Sequence, residues 1–406
     1  MTDTSAPTSG EGPPRAESSA PSGGSEAAKP RACGGPIHYA PEYVRAIAPY
    51  VGGKPIEEVA RELDLDPSTI IKLASNENPR GASPKVQAAI AAAATELTRY
   101  PDGNGFALKT ALAKRLRVQP EQIVLGNGSN DVLELVTQAF LRPGDHAVYS
   151  QYAFIVYPLA TQARGAVGIE VSANDYGHDL DAMQHAITPQ TRVVFVANPN
   201  NPTGTWLAGD VVERFVAAVP REVIVVLDEA YNEFLEPSQQ SNATAWIERY
   251  PNLVVSHTFS KAHGLAALRV GYGVMDAAVA DLMNRVRQPF NVNALAQAAA
   301  LAALGDEQYV EDSRVMNRDG MRQVENGLRT LGLRFLPSRG NFVLFEARDA
   351  NAVFQSLLRR GVIVRPVVNY NLPTWLRVTI GTPSENERFL AALGKALEDS
   401  ASTRAH

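Results

Sequence analysis

The chain has a single cysteine, Cys33, among 406 residues. One thiol excludes an internal disulfide framework and points to a reducing, cytoplasmic compartment. Cys33 sits in a Gly- and Pro-rich stretch that builds no environment for a reactive thiolate. No apolar run reaches the ~18 residues of a membrane-spanning helix, and the N-terminus lacks a basic-then-apolar signal pattern. The seven histidines show no ligand-like spacing, so no metal site is read from them. Basic residues do not dominate either: 38 Lys and Arg stand against 43 Asp and Glu, for a formal net charge of -5. That balance lacks the basic stripe a nucleic acid requires and suits small-molecule partners. Neither a dinucleotide fingerprint nor a G-x-x-x-x-G-K-[ST] loop occurs.

What is present is enough apolar material, 45% of residues, for a large core, in a chain too long for one ordinary domain. Residues 1–36 are Ser, Pro, Gly, Ala and Glu with almost no large apolar side chains. Such a segment cannot bury enough surface to offset its ordering entropy, and a disordered tail is expected. From Ile37 onward the composition is globular. Pro84 to Leu97 reads as a helix with proline in its first turn. Ser129 to Phe140 reads as another, with Asn127 and Ser129 as candidate caps. Short apolar runs recur at Ile123–Leu125, Ala147–Tyr149, Val193–Ala197, Val223–Leu227 and Leu253–Ser256, mostly separated by helix-length segments. This alternation predicts an α/β domain with a largely parallel sheet, whose ligands gather beyond the carboxyl ends of the strands. Residues 296–335 read as helical. A smaller mixed region follows, over Asn341–Phe345, Val353–Arg360, Val362–Pro366 and Leu376–Ile380. The expected division is 37–75 as arm and small-domain segment, 76–295 as large domain and 296–400 as small domain.

Four polar motifs follow the apolar runs. Gly126-Asn127-Gly128-Ser129-Asn130-Asp131 opens a helix, and its glycines and free N–H groups suit a phosphate, although a plain strand-to-helix turn would look similar. Asn198-Pro199-Asn200-Asn201-Pro202-Thr203-Gly204 specifies a rigid loop, either a simple turn or a frame that holds an asparagine amide towards a ligand. The run ending Val226-Leu227-Asp228-Glu229-Ala230-Tyr231 delivers a carboxylate to the end of a buried strand. Such a group requires a cation or several donors: a protonated pyridinium nitrogen, a structural salt bridge or a metal. Ser256-His257-Thr258-Phe259-Ser260-Lys261 places a lysine among hydroxyl residues, with Arg269 eight residues further on. Thr258, Ser260 and Arg269 can each donate to a phosphate, and a lysine forming a Schiff base needs a lowered pKa in a tight site.

Taken together, these motifs resemble the pyridoxal-phosphate (PLP)-dependent aminotransferases of the aspartate aminotransferase fold. Leu73-Ala74-Ser75-Asn76-Glu77-Asn78-Pro79, Arg99-Tyr100-Pro101-Asp102-Gly103, Pro289-Phe290-Asn291-Val292-Asn293 and Arg360-Gly361-Val362-Ile363-Val364-Arg365-Pro366 are similar to the histidinol-phosphate aminotransferase family in particular. The resemblance covers about residues 40–397. It implies PLP-dependent transferase fold type I: a large domain with a mostly parallel central sheet flanked by helices, plus a smaller α/β domain. It also implies pyridoxal 5'-phosphate as cofactor and transfer of an amino group between L-histidinol phosphate and 2-oxoglutarate, in histidine biosynthesis.

By the same resemblance Lys261 holds the cofactor and moves a proton, Asp228 keeps the pyridine nitrogen protonated, and Tyr231 and Asn201 bind the ring's phenolic oxygen. Phe154 lies against the ring face, while Ser129, Asn130, Thr258, Ser260 and Arg269 surround the phosphate. Tyr100 reaches that phosphate from a neighbouring subunit, which implies a homodimer. Arg377 grips a substrate carboxylate, Arg365 faces the substrate phosphate, and Tyr50 and Asn291 lie on the substrate side. The chain departs from the family pattern at His257, His263, Ala267, Gln151, Tyr152, Asn371 and Arg339. Two rival reactions share the chemistry: an aromatic or broad-range aminotransferase, and a decarboxylase of a phosphorylated amino acid. Arg365 speaks against the first and leaves the second open. A PLP-binding regulator would carry a DNA-binding domain, and no helix-turn-helix pattern is present.

Overall fold

The computed structural model describes residues 36–49 and 52–404. The expectations for the N-terminal tail up to residue 35, for Cys33 and for Tyr50 therefore fall outside the described residues. Pro36–Tyr39 forms a 3-10 turn. The described residues from Glu42 onward form one compact unit.

Each of the five predicted apolar runs becomes a strand, and four of these lead into a polar motif. After the two-residue β1 (Ile71–Lys72) come β2 (Ile123–Gly126), β3 (His146–Ser150), β4 (Val167–Val171) and β5 (Thr191–Ala197). Then follow β6 (Ile224–Asp228), β7 (Leu253–Thr258) and β8 (Gly271–Met275). Strands β2 to β8 make one seven-stranded sheet in the order β2-β8-β7-β6-β5-β3-β4. Pairing is parallel throughout except for β8, which runs antiparallel to both its neighbours. The sheet is thus mostly parallel, as expected, with one reversed strand. Its side chains alternate between two buried faces. Val193, Phe195, Ile224, Val226 and Val254 join one apolar cluster with Tyr157. Val194, Val196, Val225, Leu227 and Val255 join another with Phe259 and Tyr272. Two-sided burial explains the near-continuous apolar runs.

The remaining strands are β9 (Phe342–Glu346), β10 (Val362–Ile363), β11 (Arg365–Pro366) and β12 (Trp375–Thr379). They form an antiparallel sheet β11-β12-β9, while β1 pairs in parallel with β10. The chain just before the first long helix is therefore built into the C-terminal sheet system. Leu73 shares an apolar cluster with Phe345, Leu376 and Val378. Along β12, Leu376 and Val378 point into that cluster, whereas Trp375 joins a cluster on the other face. By the same alternation Arg377 belongs to the face of Trp375.

The helices follow the sequence with local corrections. Pro84–Ala93 is capped by Ser83, whose side chain accepts from the Val86 N–H. The predicted helical stretch 296–335 is two helices, Ala294–Leu304 and Glu307–Thr330, separated at Gly305 and Asp306. The helix Ser129–Phe140 has the expected bounds, but neither Asn127 nor Ser129 caps it: the cap is Gly128, at φ 83°, with no side-chain hydrogen bond. Asp131 bonds back to the Asn127 N–H at 2.9 Å instead. The first turn of this helix thus opens toward the ends of β7 and β8 with its backbone donors uncapped by a side chain.

Candidate active site

The four polar motifs converge on one cavity of about 400 Å³ at the carboxyl ends of the strands. Its wall includes Ser129, Asn130, Phe154, Asn201, Asp228, Tyr231, Thr258, Ser260, Lys261, Arg269, Arg365 and Arg377. Ser129 and Arg377, 248 positions apart in the chain, thereby meet on one wall, and the parallel strands deliver the motifs between them to one edge.

At one end stand the N-terminus of the helix Ser129–Phe140, the hydroxyls of Thr258 and Ser260, and the Arg269 guanidinium. Arg269 Nη1 reaches Ser260 Oγ at 3.4 Å and the Ala266 carbonyl at 3.1 Å. Two glycines are required here. A Cβ at Gly128 would lie 2.3 Å from Arg269 Nη2, and one at Gly271 would lie 2.5 Å from the Ser129 nitrogen. The backbone of β8 therefore abuts the helix start, which leaves N–H groups, hydroxyls and a cation around a space suited to a phosphate.

In the middle, Asp228 is buried and accepts from the Tyr157 hydroxyl at 2.9 Å and the Ala230 N–H at 3.3 Å. Burial pushes its pKa up to about 6, against the opposing effects of those two donors and of Lys261. Tyr157 is itself fully buried and stacked on Phe195 at 4.6 Å. Phe154 stands edge-on to Tyr157 at 5.9 Å. Tyr231 accepts from Asn76 Nδ2 at 2.8 Å, and burial raises its phenol to about 12, so it stays neutral and can donate. Lys261 Nζ lies 3.1 Å from the Ser75 carbonyl and 5.9 Å from the Tyr231 ring centroid. Burial and then the nearby Arg377 lower its pKa to about 8, which brings the neutral amine within reach at ordinary pH.

The proline-rich loop divides its labour. Asn198 and Asn200 bond within or beside the loop, to Leu207, Tyr152 and Thr203. Only Asn201 faces the cavity, where its Oδ1 accepts from Arg377 Nη1. Arg377 Nη2 also donates to the Ala74 carbonyl at 2.9 Å. Arg377 and Arg365 stand directly opposite each other in the antiparallel pair β11–β12. The cavity thus carries two guanidiniums at the small-sheet side in addition to Arg269.

Two expected residues lie elsewhere in this chain. Tyr100 is 83% exposed and stacks on Phe290 at 4.7 Å, outside the cavity. Asn291, expected on the substrate side, lines a separate cavity with Asp102, Lys109 and Arg287. Its amide is committed to the Leu125 carbonyl at 3.0 Å and Asp131 Oδ2 at 2.7 Å, and so braces the strand-to-helix turn. The sequence reading missed Asn76 and Tyr157 as site residues. Asn76 adopts φ 55° and ties Tyr231 to Thr379, whose hydroxyl accepts from its backbone N–H at 2.9 Å. No local signal gives either partnership, since Asn76 and Tyr231 are 155 residues apart and Tyr157 and Asp228 are 71 apart. Among the described residues no group of three or more His, Cys, Asp or Glu could hold a metal, and no helix is long and apolar enough to cross a membrane.

The residues present fit a phosphorylated pyridine aldehyde: an anion cradle, a buried carboxylate awaiting a cation, a neutral phenol and an amine of lowered pKa share one wall. The comparisons with known proteins agree. The family described as aminotransferase class I and II matches residues 68–393. Histidinol-phosphate aminotransferase 2 of Pseudomonas aeruginosa is 61% identical over 355 residues, covering 87% of this chain and 96% of that protein. Histidinol-phosphate aminotransferase 1 of Cupriavidus pinatubonensis is 57% identical over 369 residues, covering 90% and 98%. Among solved structures, histidinol-phosphate aminotransferase of Sinorhizobium meliloti, in complex with pyridoxal-5'-phosphate, superposes with a TM-score of 0.82 at 28% identity, over 88% of this chain and 97% of that one. A Thermus thermophilus aspartate aminotransferase mutant does so at 0.76 and 26%, over 87% and 98%.

Proposed function

The chain belongs to the class I and II aminotransferases, and on that footing we propose how its residues move an amino group between L-histidinol phosphate and 2-oxoglutarate. The products are imidazole-acetol phosphate and L-glutamate, a step of L-histidine biosynthesis, and the cofactor is pyridoxal 5'-phosphate. When bound, that cofactor supplies the electron sink for the substrate α-carbon.

We assign the roles as follows. Ser129, Asn130, Thr258, Ser260 and Arg269 hold the phosphate. Asp228 meets the pyridine nitrogen, whose positive charge would return the carboxyl from its raised pKa toward ordinary carboxylate behaviour. Tyr157 fixes the direction of that carboxylate by its 2.9 Å hydrogen bond. Tyr231 and Asn201 address the ring oxygen, and Asn76 and Arg377 hold those two side chains in place. Phe154 covers the ring. Lys261, with its pKa near 8, holds the cofactor covalently and shuttles the proton at the substrate carbon, acting as base and acid within one turnover. Arg377 takes the carboxylate of 2-oxoglutarate or glutamate, and Arg365 the phosphate of the donor.

The observation that carries the substrate reading is the paired register of Arg365 and Arg377 on the cavity wall. Two anion grips set by one strand pair suit two substrates that each bring an anionic end. We place residues 76–295 as the cofactor domain and join 37–75 with 296–400 as the small domain. We further propose a cytoplasmic homodimer. The exposed stacked pair Tyr100–Phe290 supports it, since such an aromatic patch gains from being covered, and Tyr100 would then reach the phosphate of a second copy. The test is a half-reaction comparison. Purified holoenzyme is mixed separately with L-histidinol phosphate, L-histidinol, L-phenylalanine and L-threonine phosphate, and the cofactor absorbance is followed. Conversion far faster with L-histidinol phosphate is expected, and an equal rate with L-phenylalanine would replace the reading with a broad aromatic aminotransferase.

A further inference from the structure

We propose that Glu77 selects the donor's imidazole ring by accepting a hydrogen bond from its N–H. The inference rests on the reading above that the donor carries such a ring. Among the described residues the cavity wall holds four cations, Lys261, Arg269, Arg365 and Arg377, but only two carboxylates, Asp228 and Glu77. Asp228 is buried and engaged by Tyr157 and the Ala230 N–H. The Asn201 carbonyl oxygen is engaged by Arg377. Glu77 is therefore the carboxylate placed to meet something that enters.

Its position is built. Asn341 Nδ2 donates to the Asn76 carbonyl at 3.0 Å and approaches the Glu77 carbonyl at 3.5 Å, which fixes the backbone. Lys72 Nζ holds Glu77 Oε1 at 2.7 Å, and this leaves Oε2 without a hydrogen bond among the described residues. Lys72 lies on β1 opposite Ile363, two residues before Arg365. The cation that pins Glu77 thus sits on the strand paired with β10, which ends two residues ahead of the guanidinium assigned to the donor phosphate, and Glu77 and Arg365 line the same cavity. The Glu77 side chain is 42% accessible, so it remains hydrated until a ligand covers it. A ring that brings an N–H replaces that water bond, whereas a phenyl ring strands the carboxylate. Discrimination by an unpaired polar group exceeds what an apolar pocket achieves between similar rings.

The experiment compares wild-type holoenzyme with Glu77→Gln and Glu77→Asp on two donors sharing the phosphate end, L-histidinol phosphate and L-phenylalaninol phosphate. In Glu77→Gln the preference for the imidazole donor, as a ratio of kcat/KM values, is expected to fall about 10- to 100-fold, the size of a charge-assisted hydrogen bond. The change should reside mainly in KM, and Glu77→Asp should recover part of it. Calorimetric binding of L-histidinol phosphate to the aminated holoenzyme, which cannot turn it over, should weaken by the same factor. A wild type that prefers the imidazole donor while Glu77→Gln keeps the same preference and affinity overturns this inference alone. A wild type that prefers the phenyl donor overturns both the inference and the reading of the reaction beneath it.

Discussion

Asp228 and Glu229 are adjacent, equally short of solvent, and face opposite sides of the central sheet. Asp228 shares its face with Tyr157 and looks into a cavity holding Lys261 and three arginines. Glu229 looks into a second polar cavity behind the sheet, with Glu233, His257, His263 and Tyr272. There it accepts from the Ser241 hydroxyl, and His257 Nε2 lies 3.4 Å from its other oxygen. Burial drives both carboxyls up, Asp228 to about 6 and Glu229 to about 8. Burial also lowers His257 and His263 to about 4. The rear cluster therefore settles its desolvation by remaining largely neutral rather than by forming ion pairs. The front cavity instead gathers Lys261, Arg269, Arg365 and Arg377 on one wall. Equal burial of equal chemistry thus yields a reactive face and a quiet one: the front wall carries a lysine and three arginines, the rear cavity Arg115 alone beside its carboxyls and imidazoles.

The sharpest break in this contrast is removal of the front amine. Lys261→Ala should lower transamination by about four orders of magnitude and abolish the cofactor's pH-dependent absorbance shift, read by spectrophotometric titration. Next, the neighbouring carboxylates should respond unequally. Asp228→Asn should cost about 100- to 1000-fold in kcat, as for loss of a preorganised charge partner. Glu229→Gln replaces a group already protonated near neutral pH and should stay within about threefold of wild type at pH 7. Equal losses in steady-state assays would mean that the two faces share one function.

The smallest effect is on stability. A carboxyl with a folded pKa above its unfolded value is stabilising at low pH and loses this as pH rises through the folded value. Glu229, near 8, and Glu233, near 7, therefore weaken the fold as pH climbs from their ordinary value of 4.5 toward those folded values, a limb that for Glu229 ends on the alkaline side. An imidazole with a depressed folded pKa is stabilising above its ordinary value of about 6.5 and loses this as pH falls toward the folded value. His257 and His263 accordingly set an acid limb between about 6.5 and 4. Glu229→Gln should remove part of the alkaline limb: its Tm relative to wild type should rise between pH 7 and 9 by roughly 2 °C, about 1 kcal/mol, in calorimetric scans. A constant difference across that range would place the rear carboxylate in an ionised state.

Much of the scaffold was legible because strands buried on both faces must be nearly all apolar, as β5 and β6 are. β4 escaped because it is an edge strand whose Val167, Gly168 and Glu170 are exposed. β8 escaped because Gly271 and Gly273 dilute its apolar run. The glycines are there because Ser129 and Val132 of the facing helix leave no room for a side chain. The cap of that helix was misread for the same reason, since Gly128 must pass beneath Arg269. The site residues carried by dense local motifs were recoverable, and nine of the cofactor-side residues named from them line one wall. Asn76 and Tyr157 were not, because their partners lie far along the chain and a lone amide or phenol carries no mark of its partner. Asn291 was assigned by likeness alone, and its amide proves to be a brace for the Asp131 turn.

The alternation along β6 has a consequence for how a finished molecule is recognised. Asp228 pairs with Ala197 on one side and Ser256 on the other. A slip of one residue would turn Asp228 to the rear cavity and bring Glu229 forward, inverting every neighbour with it. Such a chain could still bury apolar side chains on both faces, so hydrophobic packing alone is a weak judge of frame. Cofactor capture is a strict one, because it demands Asp228, Thr258 and Lys261 on the same side at once. Holding the cofactor thus serves as a proofreading step, one that certifies the strands were assembled in frame.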